Sequence, residues 1–250
     1  MVYFILLMLS APRLSFALCL FCGLLAALSY VRAVRESKRR HHVENLFGKQ
    51  ISPEVAKKML ENDGHLERRR MNVAVMFIDI RDFTRFAVSR RPEEIIQYQN
   101  DFFRIVINTV VRYKGIVHQF LGDGCMVTFG APLHLDNPSR NAVLASVRLL
   151  QALEEARDRG ELRATRIGIG IHSGEVVTGN VGTAERQHYS ITGSVVILAS
   201  RIEQMNKEFD SQLLVSKEVI RSAGRQRDAT CLGDVSLKGW HEPVPIFKLA

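Results

Sequence analysis

Val73-Ala74-Val75-Met76-Phe77-Ile78-Asp79-Ile80-Arg81-Asp82-Phe83-Thr84 decides how the chain is read. The uncharged apolar run at its start predicts a buried strand. The run closes on Asp79, so the strand delivers a carboxylate to the rim of a sheet. Further along, Gly122-Asp123-Gly124 separates the apolar stretches 116–121 and 125–130. An aspartate flanked by glycines between two strands predicts a hairpin tip. Such a tip can turn its carboxylate back toward the first strand. Two carboxylates meeting at one rim suit a hard divalent cation, usually Mg²⁺, held against phosphate oxygens. The competing reading is that both are ordinary turn residues.

Outward from this stretch, strands and helices alternate. Strand 73–79 precedes a helix over 92–113, with Ile95, Ile96, Phe102, Phe103, Val106 and Val110 at helical spacing. These phenylalanines read as core. Segments 115–121 and 125–130 form the hairpin. A second amphipathic helix is expected over 138–160, stopped by Gly160. Segments 166–171 and 175–181 read as another hairpin, turning at His172-Ser173-Gly174. A helix over 195–207 and strands at 213–215 and 244–249 follow, with Trp240 packed on the last strand. This order is that of a ferredoxin-like α/β (α+β) sandwich. In that layout the end of the first strand lies beside the tip of the following hairpin, so Asp79 and Asp123 are expected to be neighbours.

With 250 residues, 46% hydrophobic and 24% charged, the chain suits one substantial domain plus appendages. The net charge of +8 invites a nucleic-acid partner, but its distribution argues against one. Before Asn45 there are Arg13, Arg32, Arg35, Lys38, Arg39 and Arg40 against Glu36 and Glu44, so half of the excess sits in a short arm. Residues 14–31 carry no charge and are long enough to cross most of a bilayer as a helix. The basic cluster after Val31 reads as a cytoplasmic flank. The expected division is a membrane anchor at 1–31, a basic flank and helical linker at 32–71, and a catalytic domain at 72–250. The domain would lie on the cytoplasmic side of the inner or plasma membrane. Ser52-Pro53-Glu54 starts a linker helix that Asn62-Asp63-Gly64 ends. Cys19-x-x-Cys22 lies within the apolar stretch and reads as filler rather than a metal pair.

Four motifs in order make a family resemblance. They are Phe77-Ile78-Asp79-Ile80-Arg81-Asp82-Phe83-Thr84, Phe120-Leu121-Gly122-Asp123-Gly124, Arg166-Ile167-Gly168-Ile169-Gly170-Ile171-His172-Ser173-Gly174-Glu175 and Ala199-Ser200-Arg201-Ile202-Glu203. Together they resemble the catalytic domain of class III nucleotidyl cyclases, most closely bacterial adenylate cyclases. The resemblance implies conversion of ATP to 3′,5′-cyclic AMP and pyrophosphate. It implies two Mg²⁺ (or Mn²⁺) ions on Asp79, Asp123 and the Ile80 carbonyl. One ion would activate the ribose 3′-hydroxyl and the other would offset charge on the leaving group. It also implies backbone N–H groups at Phe83 and Thr84 facing phosphate oxygens. Arg201 would stabilise transition-state charge, Lys238 would contact the terminal phosphates, and Gln119 and Ser190 would read the base. The implied enzyme is a homodimer whose two pockets each draw on both chains.

Some positions depart from the family pattern. Gln119 stands where adenylate cyclases usually carry lysine and guanylate cyclases glutamate. Ser190 stands where aspartate or threonine marks adenine and cysteine marks guanine. An amide and a hydroxyl each offer donor and acceptor, so the pair suits either purine. Ile197 replaces the asparagine that orients the ribose, and isoleucine cannot hydrogen-bond. A guanylate cyclase and a non-catalytic, dimerising nucleotide sensor therefore stay open beside the adenylate cyclase.

Overall fold

A computed structural model describes residues 68–183 and 187–250. The expected anchor and linker helix lie outside the described residues. Among the described residues, no helix is long and apolar enough to cross a membrane.

Strand β1 (Arg69–Ile80) is the spine, and it begins ahead of the expected boundary at Asn72. It leads into a short helix, α1 (Phe83–Val88), and a long one, α2 (Pro92–Arg112). Pro92 opens α2, and the Arg91 N–H donates to the Glu94 carboxylate at 3.1 Å, satisfying a donor that the helix itself cannot. Strands β2 (Gly115–Leu121) and β3 (Gly124–Phe129) form the hairpin. Helix α3 (Pro138–Asp158) is capped by Asn137, whose side chain accepts from the Arg140 N–H at 2.9 Å. Then come β4 (Ile167–Gly182), β5 (Gln187–Thr192), α4 (Ser194–Met205), β6 (Leu213–Ser216), α5 (Lys217–Ala223), β7 (Thr230–Val235) and β8 (Val244–Lys248).

The sheet runs β2-β3-β1-β4-β6-β8-β7, with β5 paired to β4. Its first four strands have the expected ferredoxin-like order. One face buries Ala74, Met76, Ile78 and Ile80 of β1 and Ile167, Ile169 and Ile171 of β4 against Phe102, Val106 and Val110 of α2 and Leu149 and Leu153 of α3. On the other face, Leu198, Ile202 and Met205 of α4 pack with Leu214, Leu237, Val244 and Ile246, and Trp240 lies against them as expected. Ile96 departs from the helical stripe and is 58% exposed.

The hairpin expected at His172-Ser173-Gly174 is corrected by the structure. β4 is one unbroken strand, and these residues pair with Val75, Ala74 and Val73 of the long β1. Twelve residues of β1 hold the ladder straight through the presumed turn. His172 is accordingly a buried strand residue, its Nδ1 2.8 Å from Ser216 Oγ.

The alternation Ile167-Gly168-Ile169-Gly170-Ile171 has a packing reason. Its isoleucines fill the α2–α3 side while its glycines face α4. A Cβ on Gly170 would meet the backbone nitrogen of Glu203 and lie 2.6 Å from the Ala199 carbonyl oxygen. Helix α4 therefore rests on bare strand backbone.

Candidate active site

The register of β1 against β3 places Asp79 opposite Gly124, the residue after Asp123. Asp79 is the penultimate residue of β1, its side chain one-third exposed. Gly122 (φ 68°) supplies the left-handed conformation of the two-residue turn. Gln99 of α2 donates to its carbonyl at 3.1 Å, tying the tip to the helix layer. A Cβ on Gly124 would strike the Ile78 carbonyl and sit 3.1 Å from Asp79 Oδ1. Glycine there lets the tip close onto the strand end. Burial pushes the Asp123 carboxyl above its ordinary value, and the negative charge of Asp79 pushes it further. The two carboxylates thus share one electrostatic field, as the sequence led us to expect.

Ile80 is buried, so its backbone is what it can offer a ligand. Asp82 takes a left-handed conformation (φ 57°), turning the chain into α1 at Phe83. The Phe83 ring stacks on Tyr98 at 6.4 Å, and Thr84 is exposed. Both residues therefore stand at the same rim as Asp79.

The charges of this rim include two residues that the motifs alone did not single out for a role. Arg81 is 10% exposed, and its Nη2 lies 3.3 Å from Asp79 Oδ2 and in an ion pair with Glu203 Oε1 of α4. Nothing in the local pattern links Arg81 to Glu203. The nearest sequence signal is Gly168, where a Cβ would fall on the Arg81 guanidinium, 2.7 Å from Cζ.

The remaining expected residues lie on β2, β5, α4 and the turn after β7. Val117 pairs with Val127 and Gln119 with Met126, so His118 is a bulge that re-aims the exposed Gln119. The His118 ring meets Tyr189 of β5 at 5.6 Å, bringing the neighbours of Gln119 and Ser190 into contact. β5 runs through Gly193 into α4, which carries Arg201. Arg201 Nη1 donates to Gln204 at 2.9 Å. Ile197, one turn before it, is 54% exposed. Residues two apart on a helix point about 200° apart. Because Glu203 faces Arg81 and Asp79, Arg201 faces away from its own aspartate pair. Lys238 is exposed in a turn next to Leu237, which packs with Leu198 and Ile202 of α4.

Burial lowers the pKa of His118 from 6.5 to about 4, with the charge of His188 adding to the effect. Below pH 6.5 the unfolded chain takes up a proton that the folded chain refuses. Stability contributed by this residue is thus complete above pH 6.5 and is lost as pH falls toward 4. The loss is about 1.4 kcal/mol per pH unit, on the order of 3 kcal/mol in all. Urea titrations at pH 6.5 and 4.5 should show a smaller acid loss in His118→Phe than in the parent. Equal losses would contradict the burial of a neutral imidazole.

Among the described residues, no three His, Cys, Asp or Glu side chains converge as a metal cluster. Two carboxylates and a strand-end carbonyl nevertheless fit a hard divalent ion that takes its remaining ligands from phosphate and water. The Asp79 carboxylate already faces one positive charge, the Arg81 guanidinium at 3.3 Å.

Residues 66–249 match the family described as Adenylate and Guanylate cyclase catalytic domain. The uncharacterized protein Rv1320c of Mycobacterium tuberculosis is 34% identical over 215 residues, covering 85% of this chain. The chain spans 37% of that relative's length. Among solved structures, the guanylyl cyclase Cya2 is 29% identical (TM-score 0.64), with 73% of this chain and 93% of that one covered. The adenylyl cyclase CyaB from P. aeruginosa is 27% identical (TM-score 0.61), with 73% and 95% covered.

Proposed function

Because the chain belongs to the adenylate and guanylate cyclase catalytic domain family, we propose that it converts ATP to 3′,5′-cyclic AMP and pyrophosphate in pockets shared by two copies. The observation that carries this reading is the closure of the Gly122-Asp123 tip onto Asp79, which concentrates two carboxylates at one open rim. Asp79, Asp123 and the Ile80 carbonyl would hold two Mg²⁺ or Mn²⁺ ions. Bound there, the metal would acidify the ribose 3′-hydroxyl and offset charge on the departing pyrophosphate. The chain's own groups do the rest. Backbone N–H groups at Phe83 and Thr84 hold phosphate oxygens. Lys238 anchors the terminal phosphates, and Arg201 faces charge growing at the α-phosphate. Gln119 and Ser190 orient the base.

The helix geometry supports a pocket shared by two copies. Arg201 points away from the aspartates of its own chain, which suits a division in which one copy would supply the metal pair and the other Arg201, Gln119, Ser190 and Lys238. Residues 14–31 would anchor the chain at the plasma or inner membrane, with the catalytic domain cytoplasmic. Release of the intact chain from membranes by carbonate washing would count against that anchor.

The two solved cyclases named above, one of each specificity, are almost equally similar, so the base is the first thing to test. Purified protein with ATP or GTP, each with Mg²⁺ or Mn²⁺, should give the higher kcat/KM for ATP. A higher value for GTP would reassign the substrate and leave the chemistry intact. Nucleotide binding without pyrophosphate release would reduce the domain to a sensor.

Ile197 shares the outer face of α4 with Arg201, where the family pattern holds a ribose-orienting donor. Ile197→Asn should raise kcat by about 10-fold or more, since one preorganised donor commonly contributes 10²–10³. An unchanged kcat would mean that another group, such as Thr192 or Ser194, already orients the ribose.

A further inference from the structure

Arg81 lies between two carboxylates in a way that a purely structural ion pair does not require. A buried guanidinium is best satisfied by one carboxylate in a two-pronged pair. Here Nη2 alone serves both Asp79 and Glu203, while Nε and Nη1 are buried without a hydrogen-bond partner. Glu203 is itself buried, so it cannot turn to solvent for a counter-ion. The space for the pair is kept open by Gly168, because a side chain there would displace either the guanidinium or the Glu203 carboxylate. Asp79 is the more exposed of the two carboxylates, one-third open against one-tenth for Glu203. It is therefore the partner that an incoming ion can reach.

We propose that Arg81 is a positioning residue that stands in for the cation at Asp79 while no metal is bound, and that Glu203 takes over the guanidinium when a divalent ion arrives. The proposal rests on the metal-site reading above. A guanidinium and a divalent cation on the same carboxylate repel each other, so metal entry requires Arg81 to withdraw. Glu203 gives it a buried partner to withdraw to, on the helix that also carries Arg201. By linkage, whatever strengthens the Arg81–Glu203 pair strengthens metal binding at Asp79, and the reverse.

The test uses Mn²⁺ alone with the full chain, without nucleotide, and reads binding by titration calorimetry or by loss of the free-ion EPR signal. Glu203→Gln leaves Asp79 as the one carboxylate ion-paired with Arg81 among the described residues, and the Kd for Mn²⁺ should rise about tenfold, within the 5- to 150-fold range of coupled sites. The double variant Arg81→Gln/Glu203→Gln removes the competing cation together with its partner, and its Kd should fall below the parent value by about the same factor. Asp79→Ala should lose binding. A parent Kd in both Gln variants, with binding still lost in Asp79→Ala, overturns the proposal and leaves the metal site standing. Lowered melting temperature with an unmoved Kd does the same, because it assigns the pair to folding alone. If Glu203→Gln fails to fold, the double variant, neutral at both positions, decides the matter by itself. A parent chain that binds no Mn²⁺, or an Asp79→Ala variant that binds it like the parent, overturns the metal-site reading as well.

Discussion

Asp79→Ala or Asp123→Ala is expected to lower cyclic-nucleotide formation by about 10³-fold or more while the domain stays folded. Each change removes half of the charge that the rim offers a divalent ion, and no third acidic or histidine ligand stands ready among the described residues. The fold should survive for a stated reason. Asp79 is one-third exposed, and its loss leaves Arg81 paired with Glu203, so no buried charge is stranded. Asp123 occupies a turn whose shape depends on Gly122 and Gly124 rather than on its own side chain. Its removal also relieves the burial and, after it, the Asp79 repulsion that raise its pKa. The measurement is product formation with Mn²⁺, alongside a thermal melt of each variant. More than about a tenth of parent turnover in either well-folded variant would remove the two-carboxylate account.

Gly170→Ala should be the most damaging small change away from the rim. The added methyl would enter the backbone of α4 at Glu203 and Ala199, and backbone cannot rotate aside as a side chain can. Overpacking of this kind costs about 3 kcal/mol or more, corresponding to a fall in melting temperature of roughly 6–12 °C for a chain of this size. Gly174→Ala on the same strand is the control. Its Cβ would meet a single Val195 methyl at 3.0 Å, which can shift, so its loss should stay under about 1 kcal/mol. Equal melting of Gly170→Ala and the parent would mean that α4 does not lie as close to β4 as described. Because α4 carries both Glu203 and Arg201, the same variant should lose turnover beyond its loss of stability.

These two experiments probe different kinds of information. The carboxylate pair rests on signals that are local in sequence. An apolar run ending in Asp79 and a Gly122-Asp123-Gly124 turn each have a single reasonable conformation, and the chain order then makes them neighbours. Amphipathic spacing likewise located α2 and α3 to within a few residues. The short elements after β4 were harder to see. Strands β5 and β7 and helix α5 are brief, and their burial depends on what the rest of the sheet presents to them. His172-Ser173-Gly174 looked like a turn because serine and glycine favour turns in isolation. The long ladder with β1 outweighed that preference, since breaking it would strand buried backbone donors and acceptors.

By itself, then, the chain's order of residues determined where carboxylates meet and which layers bury which faces, because hydrophobic period and turn chemistry act over a few neighbours. Folding in three dimensions decided what those residues face. The Arg81–Glu203 pair joins positions far apart in the chain, and it exists because two glycines let α4 settle on bare strand. The opposite aims of Glu203 and Arg201, and the bulge that turns Gln119, are likewise set by packing between distant elements. Periodicity assigns a residue to a face, but only the docked helix or strand fixes what lies across from it.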